Sequence, residues 1–368
     1  MSDADYRDAL TQGAVRGRGA GVNPGNRFEG VRLHVLGEEL DAQRIEHPDG
    51  VQVGTEVYAD HAKSVLNPIE SPDLRMSWSI NPYRGCEHGC VYCYARPTHE
   101  TFGLSSGLDF ERKIFVKRDA PALLRRELAR PSWDAPPIMM SGVTDPYQPI
   151  ESSLRVTRGV LEVLAECRQP VTVITKNAMV RRDIDLLSEL ASHGAASVAL
   201  SVTTLDPKLS ATMEPRAASP KRRLDTIRAL TDAGVPVIVM VAPIVPALTD
   251  HEVPSILMAA AEAGAVGAGH VVLRLPWQVK AVFTEWLERV MPERAGHVES
   301  AVREAYGGKL YDATHGVRGR GVGARAAQIH ETFKVFARRY GLDRERKGLC
   351  GQAFRRPTVI KEGQMGLF

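Results

Sequence analysis

The stretch NPYRGCEHGCVYCYAR, residues 81–96, sets Cys86, Cys90 and Cys93 at the spacing C-x3-C-x2-C immediately after a short apolar run, Met76 to Ile80. Thiolates at that spacing on one Gly-flanked loop can reach a single metal centre. A structural zinc site would want a fourth ligand, and cysteine-based zinc motifs usually come as two separated knuckles. His88 lies between two of the cysteines, where it would crowd the same loop. The chain has 5 cysteines, an odd number of which three fall within eight positions. A disulfide framework would not require that arrangement, so metal or redox chemistry is the reading.

Outward from this loop, short apolar runs alternate with amphipathic stretches. Strand candidates are Met76–Ile80, Ile138–Ser141, Val171–Thr175, Val198–Val202, Val235–Val241 and His270–Leu273. Most are runs of the kind buried on both faces of a parallel sheet. Helix candidates lie between them at about 120–130, 153–167, 181–193, 220–233 and 252–264, the last two ending near Gly234 and Gly264 as capped helices do. This order predicts an α/β fold, a partial (βα)6 TIM-type barrel, although a doubly wound open sheet shares the pattern.

Around this core, at residues 71–280, two extensions are expected. Residues 1–70 are rich in Gly, Asn, Asp and Arg with weak periodicity, and RGRGAGVNPGNR (16–27) reads as an irregular basic arm with few apolar anchors. Residues 281–368 are helical, with FTEWLERV, HVESAVREAY and AAQIHETFKVFARRY periodic; from Ala313 onward 12 Lys/Arg face 4 Asp/Glu. With 43% hydrophobic and 25% charged residues the 368-residue chain can bury a large core, and its net charge of +3 decides little about partners. No run approaches the ~20 apolar residues of a membrane span. The acidic start MSDADYRDAL does not read as a signal peptide, so a cytoplasmic protein without membrane contact is expected.

In a parallel barrel, chemistry gathers at the C-terminal ends of the strands. Polar groups follow four of the candidates: Ser141, Thr144, Asp145, Tyr147 and Glu151; Thr175, Lys176 and Asn177; Ser201, Thr203, Thr204 and Asp206; and Arg274. Each has an ordinary reading too. Asp145 before Pro146 starts turns, and Thr203 to Asp206 can cap a helix. Together they offer what an amino acid sulfonium needs, namely acceptors for its ammonium and donors for its carboxylate and ribose.

A cubane held by three cysteines leaves one iron open to a substrate. The C-x3-C-x2-C loop with an aromatic between its last two cysteines resembles the radical S-adenosylmethionine superfamily. The blocks CYAR, TDPYQPIE (144–151), ITKN (174–177), SVTTLD (201–206) and EPRAASPKRRL (214–224) resemble its spore photoproduct lyase branch over about residues 75–275. The resemblance implies a [4Fe-4S] cluster on Cys86, Cys90 and Cys93, S-adenosylmethionine as cosubstrate, and a reductant such as flavodoxin or ferredoxin. It also implies a 5′-deoxyadenosyl radical that abstracts hydrogen from a substrate. Tyr92 and Tyr94 match aromatics beside the cluster, Lys176 and Ser201 match contacts to S-adenosylmethionine, and Ser141, Thr144 and Asp145 fall in the amine-binding segment. One departure stands out: the hydrogen-returning cysteine of the branch aligns with Gly142. Cys167 reads as core and Cys350 is left open, so repair of the branch's lesion is not inferred from the resemblance, while lyase chemistry and DNA repair stay among the readings. The alternative is a nucleic-acid- or clamp-binding protein with a structural cluster.

Three basic segments bear on partners. Arg216, Lys221, Arg222 and Arg223 read either as a solvated helix start or as substrate contacts at the barrel mouth. RGRGAG (16–21) and GVRGRGVGAR (316–325) read either as phosphate-wrapping or as solubilising loops. The terminal QMGLF, Gln364 to Phe368, resembles the peptide by which bacterial repair and replication proteins dock into the sliding clamp, with Met365, Leu367 and Phe368 filling apolar pockets.

Overall fold

The computed structural model describes residues 6–7, 15–28, 35–36, 52–74, 76–345 and 348–358. The six barrel strands form where the apolar runs predict them: β1 (Trp78–Ile80), β2 (Ile138–Met140), β3 (Val171–Thr175), β4 (Ala196–Ser201), β5 (Val237–Ile244) and β6 (Gly267–Val272). All five neighbouring pairs are parallel, with registers such as Trp78↔Ile138, Val173↔Val198 and Val198↔Val237. Spatial order equals chain order, and a short antiparallel strand, Leu66–Pro68, flanks β1. A doubly wound sheet would reverse direction at a switch point. This one never does, and β1 and β6 are not paired, so the sheet is a barrel left open on one side.

Helices cover its outer face: α1 (Ala120–Leu128), α2 (Val156–Cys167), α3 (Ile184–Ser192), α4 (Pro220–Asp232) and α5 (Val253–Glu262). Local chemistry fixes their ends. Ser219 caps α4 by accepting from the Arg222 N–H, with Pro220 at the first turn. Gly264, at φ +97°, follows α5 in a conformation that favours glycine. Between α1 and α2, Gly159 lets the helices touch, because a Cβ there would sit 2.9 Å from Pro121. The outward valines of β3 to β5, Val171, Val173, Val198, Val237, Val239 and Val241, are buried against these helices. The inward face carries polar groups, as in the Thr172–Ser197 hydroxyl contact of 2.9 Å.

Beyond the barrel, α6 (Val279–Val290), α7 (Pro292–Ala305) and α8 (Ala324–Arg339) form the predicted helical extension. It is joined to the barrel rather than appended to it: Tyr306 donates to the Leu273 carbonyl at the end of β6, and α8 stacks Phe333 on His270 at 4.0 Å between ring centroids. Residues 348–358 run along the opposite end of the barrel, where Cys350 N–H donates to Gly194 O and Arg355 N–H to Cys167 O. Among the described residues no helix is long and apolar enough to cross a membrane.

Two expectations change. The segment 52–70 contains Glu56–Ala59, which pairs in parallel with Lys113–Val116, itself antiparallel to Tyr83–Arg84. The supposed arm, residues 16–27, is packed rather than loose. Ala20 and Val22 are buried, and the anchors missing from the apolar pattern are supplied by backbone amides. Gly19 and Ala20 N–H donate to the Glu111 carboxylate at 2.9 and 2.8 Å, and a Cβ at Gly19 would meet the Gly89 carbonyl at 1.9 Å.

Candidate metal centre and cosubstrate site

The cysteine loop leaves β1 and is held from several sides. Gly85 and Gly89, at φ +78° and +68°, supply two left-handed bends, and a Cβ at Gly85 would strike His99 and the Phe110 carbonyl at under 3 Å. Cys86 N–H donates to that same Phe110 carbonyl at 3.0 Å. Arg96 is fully buried and donates to the Cys90 carbonyl from both Nε (3.0 Å) and Nη2 (2.8 Å), to Ser106 and Gly107 carbonyls, and to Glu111 at 2.5 Å. A buried guanidinium with five such bonds is a rigid splint. Glu111 thus ties the loop to the segment at residues 19–20.

Cys86 and Cys90 are buried and Cys93 is partly open. Burial pushes all three thiols up, and for Cys86 the neighbouring charges of Asp145, Cys90 and Cys93 add to this. Buried thiols of this kind stay protonated unless a cation holds them as thiolates. Among the described residues no three His, Cys, Asp or Glu side chains converge on a single ion. His88 is no fourth ligand: it is buried, with Nδ1 3.3 Å from Asp145 and Nε2 3.2 Å from Asn177. Three sulfurs on one loop, with its histidine held by Asp145 and Asn177, fit the three-cysteine ligation of a multi-iron cluster.

The predicted strand-end residues come together around this loop, in two layers. After β2, Ser141 and Gly142 take φ +150° and +132°, an unusual conformation for serine of the kind that clusters at functional sites. Ser141 donates to the Thr144 carbonyl at 2.9 Å, and Thr144 to the Gly85 carbonyl at 2.6 Å, which seats this turn on the cysteine loop. Asp145 is saturated by protein: it accepts from Tyr147 N–H, Thr175 Oγ1 and Lys176 N–H at 2.7–2.8 Å and faces His88. Burial pushes its carboxyl up, but the neighbouring His88 and these hydrogen bonds outweigh that and hold it below the usual range. Asp145 therefore joins the ends of β2 and β3.

Lys176, from the end of β3, lies over the Tyr92 ring at 5.8 Å with Nζ 3.5 Å from the Ala242 carbonyl, and among the described residues it forms no ion pair. Ser201 is buried at the end of β4, where its carbonyl accepts from Arg223 at 3.1 Å. Tyr92 is buried and turns its hydroxyl inward to Glu214. Tyr94 is 47% exposed, yet the surrounding protein pushes its hydroxyl up. Arg274, after β6, lies over the Tyr94 ring at 4.7 Å and also lacks an ion pair among the described residues.

Two functional neighbours escaped the sequence. Glu214 accepts from Tyr92, Thr203 (2.9 Å) and Arg223; burial pushes it up, but Arg223, Lys176 and these bonds bring it down to about 2. Of the bases read above as solvent or substrate contacts, Arg223 is buried on Glu214, and Arg216, half-buried, pairs with Glu87 at 2.9 Å. Lys221 and Arg222 of that cluster are exposed. One acid, Glu214, ahead of four bases in the EPRAASPKRRL block was the available signal.

An open parallel barrel with three clustered thiols at its mouth is the arrangement of an iron–sulfur protein, and Lys176 and Arg274, which form no ion pair among the described residues, offer partners to the carboxylate of a small cosubstrate. The Radical SAM superfamily model matches residues 80–260. The uncharacterized protein Rv2578c of Mycobacterium tuberculosis is 38% identical over 247 residues, 66% of this chain and 72% of that one. The uncharacterized protein MJ0683 of Methanocaldococcus jannaschii is 29% identical over 191 residues, 52% and 68% of the two chains. Among solved structures, spore photoproduct lyase with bound AdoMet and dinucleoside spore photoproduct shares the fold at a TM-score of 0.55 and 14% identity, over 83% of this chain and 92% of that one. The chain belongs to the radical SAM superfamily: it is an enzyme, and its cofactors are a [4Fe-4S] cluster and S-adenosylmethionine.

Proposed function

We propose that Cys86, Cys90 and Cys93 hold the cluster and that S-adenosylmethionine lies across the ends of β2, β3 and β4, for hydrogen abstraction from a nucleic acid. The observation that supports the cosubstrate's place is Lys176, an ammonium at a strand end that acts on Glu214 only at a distance and forms no ion pair among the described residues, suited to receive the methionyl carboxylate beside Ser201. The turn Ser141–Asp145 borders the cysteine loop and takes the amine side; Arg274 and Tyr94 face the remaining cavity. When bound, the cluster supplies one electron to the sulfonium, whose C–S cleavage gives the 5′-deoxyadenosyl radical. Tyr92, Glu214 and Arg223 hold the wall behind Lys176, and Arg96 holds the cysteine loop.

Nucleic acid is supported by the basic, aromatic-bearing mouth and by the spore photoproduct lyase structures, whose bound ligand is a dinucleoside lesion. Lyase chemistry and a DNA-repair setting in the cytoplasm follow as readings of that likeness, with flavodoxin or ferredoxin as reductant. Cys167 is buried, and Cys350 packs near Gly194 at the far end of the barrel, so neither takes the place of a cysteine at Gly142. The clamp-docking peptide Gln364–Phe368 lies outside the described residues and stands as a partner proposal from sequence. The test is isotope transfer: with deuterated oligonucleotide, S-adenosylmethionine and dithionite, deuterium should appear in 5′-deoxyadenosine. No transfer from any single- or double-stranded DNA or RNA would remove nucleic acid as the substrate.

A further inference from the structure

Three large aromatic side chains stand exposed around the mouth of the open barrel, and each is joined to an arginine. Trp277, in the loop after β6, is 58% exposed and is held at φ +46°, a left-handed conformation unfavourable for a non-glycine residue. Its ring is covered on one face by the Arg27 guanidinium at 4.2 Å. Arg27 in turn lies 5.2 Å from the ring of Phe28, itself 68% exposed, and Glu100 fixes its orientation at 2.7 Å. Three residues before Trp277, Arg274 stacks on Tyr94, which directly follows Cys93. A cleft of about 350 Å³ beside Phe28 is lined by Asn26, Glu100, Thr101 and Gly103.

Single exposed aromatics need no explanation. Here, however, Phe28, Arg27 and Trp277 form one stack, two loops far apart in sequence build it, and Arg274, on the same loop as Trp277, carries a second arginine–aromatic pair with Tyr94 beside the cysteines. The segment GVRGRGVGAR closes the same side, since Val272 N–H donates to the Gly319 carbonyl at 2.9 Å and Arg318 lies within electrostatic reach of Tyr94. Arg27 and Arg318 are partly neutralised by Glu100 and Asp73, whereas Arg274 forms no ion pair among the described residues. Flat rings and guanidinium planes are surfaces on which bases stack without regard to sequence, while arginines meet the backbone. A base attacked by a radical inside the barrel must also leave its stack to reach it.

We infer that Trp277, Phe28 and Tyr94, with Arg27, Arg274 and Arg318, form a stacking platform for an unpaired stretch of nucleic acid at the mouth of the barrel. This rests on the nucleic-acid reading above and deepens it. The test uses cluster-reconstituted protein and fluorescein-labelled single-stranded DNA of about 12 nucleotides, within the range such sites span, titrated by anisotropy at several salt concentrations. Trp277→Ala should weaken binding about 5- to 100-fold, the range measured for loss of one base–aromatic stack, and Trp277→Phe should restore most of it, which a mere folding defect would not allow. Arg274→Ala should lower the slope of log affinity against log salt by about one unit. If wild-type protein binds the oligonucleotide and Trp277→Ala, Phe28→Ala and Arg274→Ala all match it, the platform is wrong while the nucleic-acid reading stands. If wild-type protein that forms 5′-deoxyadenosine shows no salt-dependent binding to single strand or duplex, both fall together.

Discussion

The Tyr92 hydroxyl donates to the Glu214 carboxylate, joining the middle of the cysteine loop to a residue 122 positions later. The same carboxylate receives Thr203 and the buried guanidinium of Arg223, so one acid fastens the cysteine loop, the end of β4 and the start of α4. Glu214→Ala would leave Arg223 buried and unpaired, which costs about 3–5 kcal/mol. Urea denaturation of the iron-free protein should show that loss, and Glu214→Gln, which keeps hydrogen-bonding capacity, a smaller one. Equal midpoints for wild type and Glu214→Ala would contradict the role.

Arg96 makes the corresponding link on the other side of the loop. Arg96→Lys keeps the charge but not the fork that reaches the Cys90, Ser106 and Gly107 carbonyls together. Iron per chain after anaerobic reconstitution should fall clearly below wild type, with the protein still folded by circular dichroism. Full iron loading of Arg96→Lys would show that the splint does not position the cysteines.

Two glycines in RGRGAG separate packing from backbone strain. Gly19→Ala places a Cβ 1.9 Å from the Gly89 carbonyl and should cost at least about 2 kcal/mol as an overpacked contact. Gly17→Ala meets nothing within 4 Å and should cost only about 1 kcal/mol, from its φ of +67°. Similar thermal midpoints for the two variants would mean that the segment does not pack against the cysteine loop.

His270 gives a pH dependence remote from the cluster. Burial, with the facing His330 and Arg320, lowers its pKa to about 4; Phe333 stacks on its ring and His330 is 2.6 Å away. The folded protein disfavours the protonated form, so the unfolded chain binds the extra proton between pH 6.5 and 4. Stability is therefore full above pH 6.5 and falls toward pH 4, by at most about 3 kcal/mol from this residue. Denaturation midpoints of His270→Asn and wild type should converge as pH drops from 7 to 5; a constant gap would contradict the assignment.

The barrel was legible because β-branched runs bounded by turn residues are a local signal: Val171–Thr175 was read with its observed ends, and the other five strands to within three residues. The cysteine spacing was equally local. Lys113–Val116 and Glu56–Ala59 were missed because each is short and pairs only with segments distant in sequence, Glu56–Ala59 with Lys113–Val116 and Lys113–Val116 with Tyr83–Arg84 as well. The segment at residues 16–27 looked unanchored because its anchors are amides on Glu111 and contacts only glycine permits, which leave no apolar pattern. Glu214 and Arg223 were hidden for a further reason: a buried ion pair and a solvated helix start have the same composition.

The most direct measurement is 5′-deoxyadenosine, quantified after anaerobically reconstituted protein with about four irons per chain is incubated with S-adenosylmethionine and dithionite. Wild type should form it, while Cys86→Ala, Cys90→Ala and Cys93→Ala should remain folded, lose iron and form none. Iron-replete wild-type protein that leaves S-adenosylmethionine intact would contradict the account.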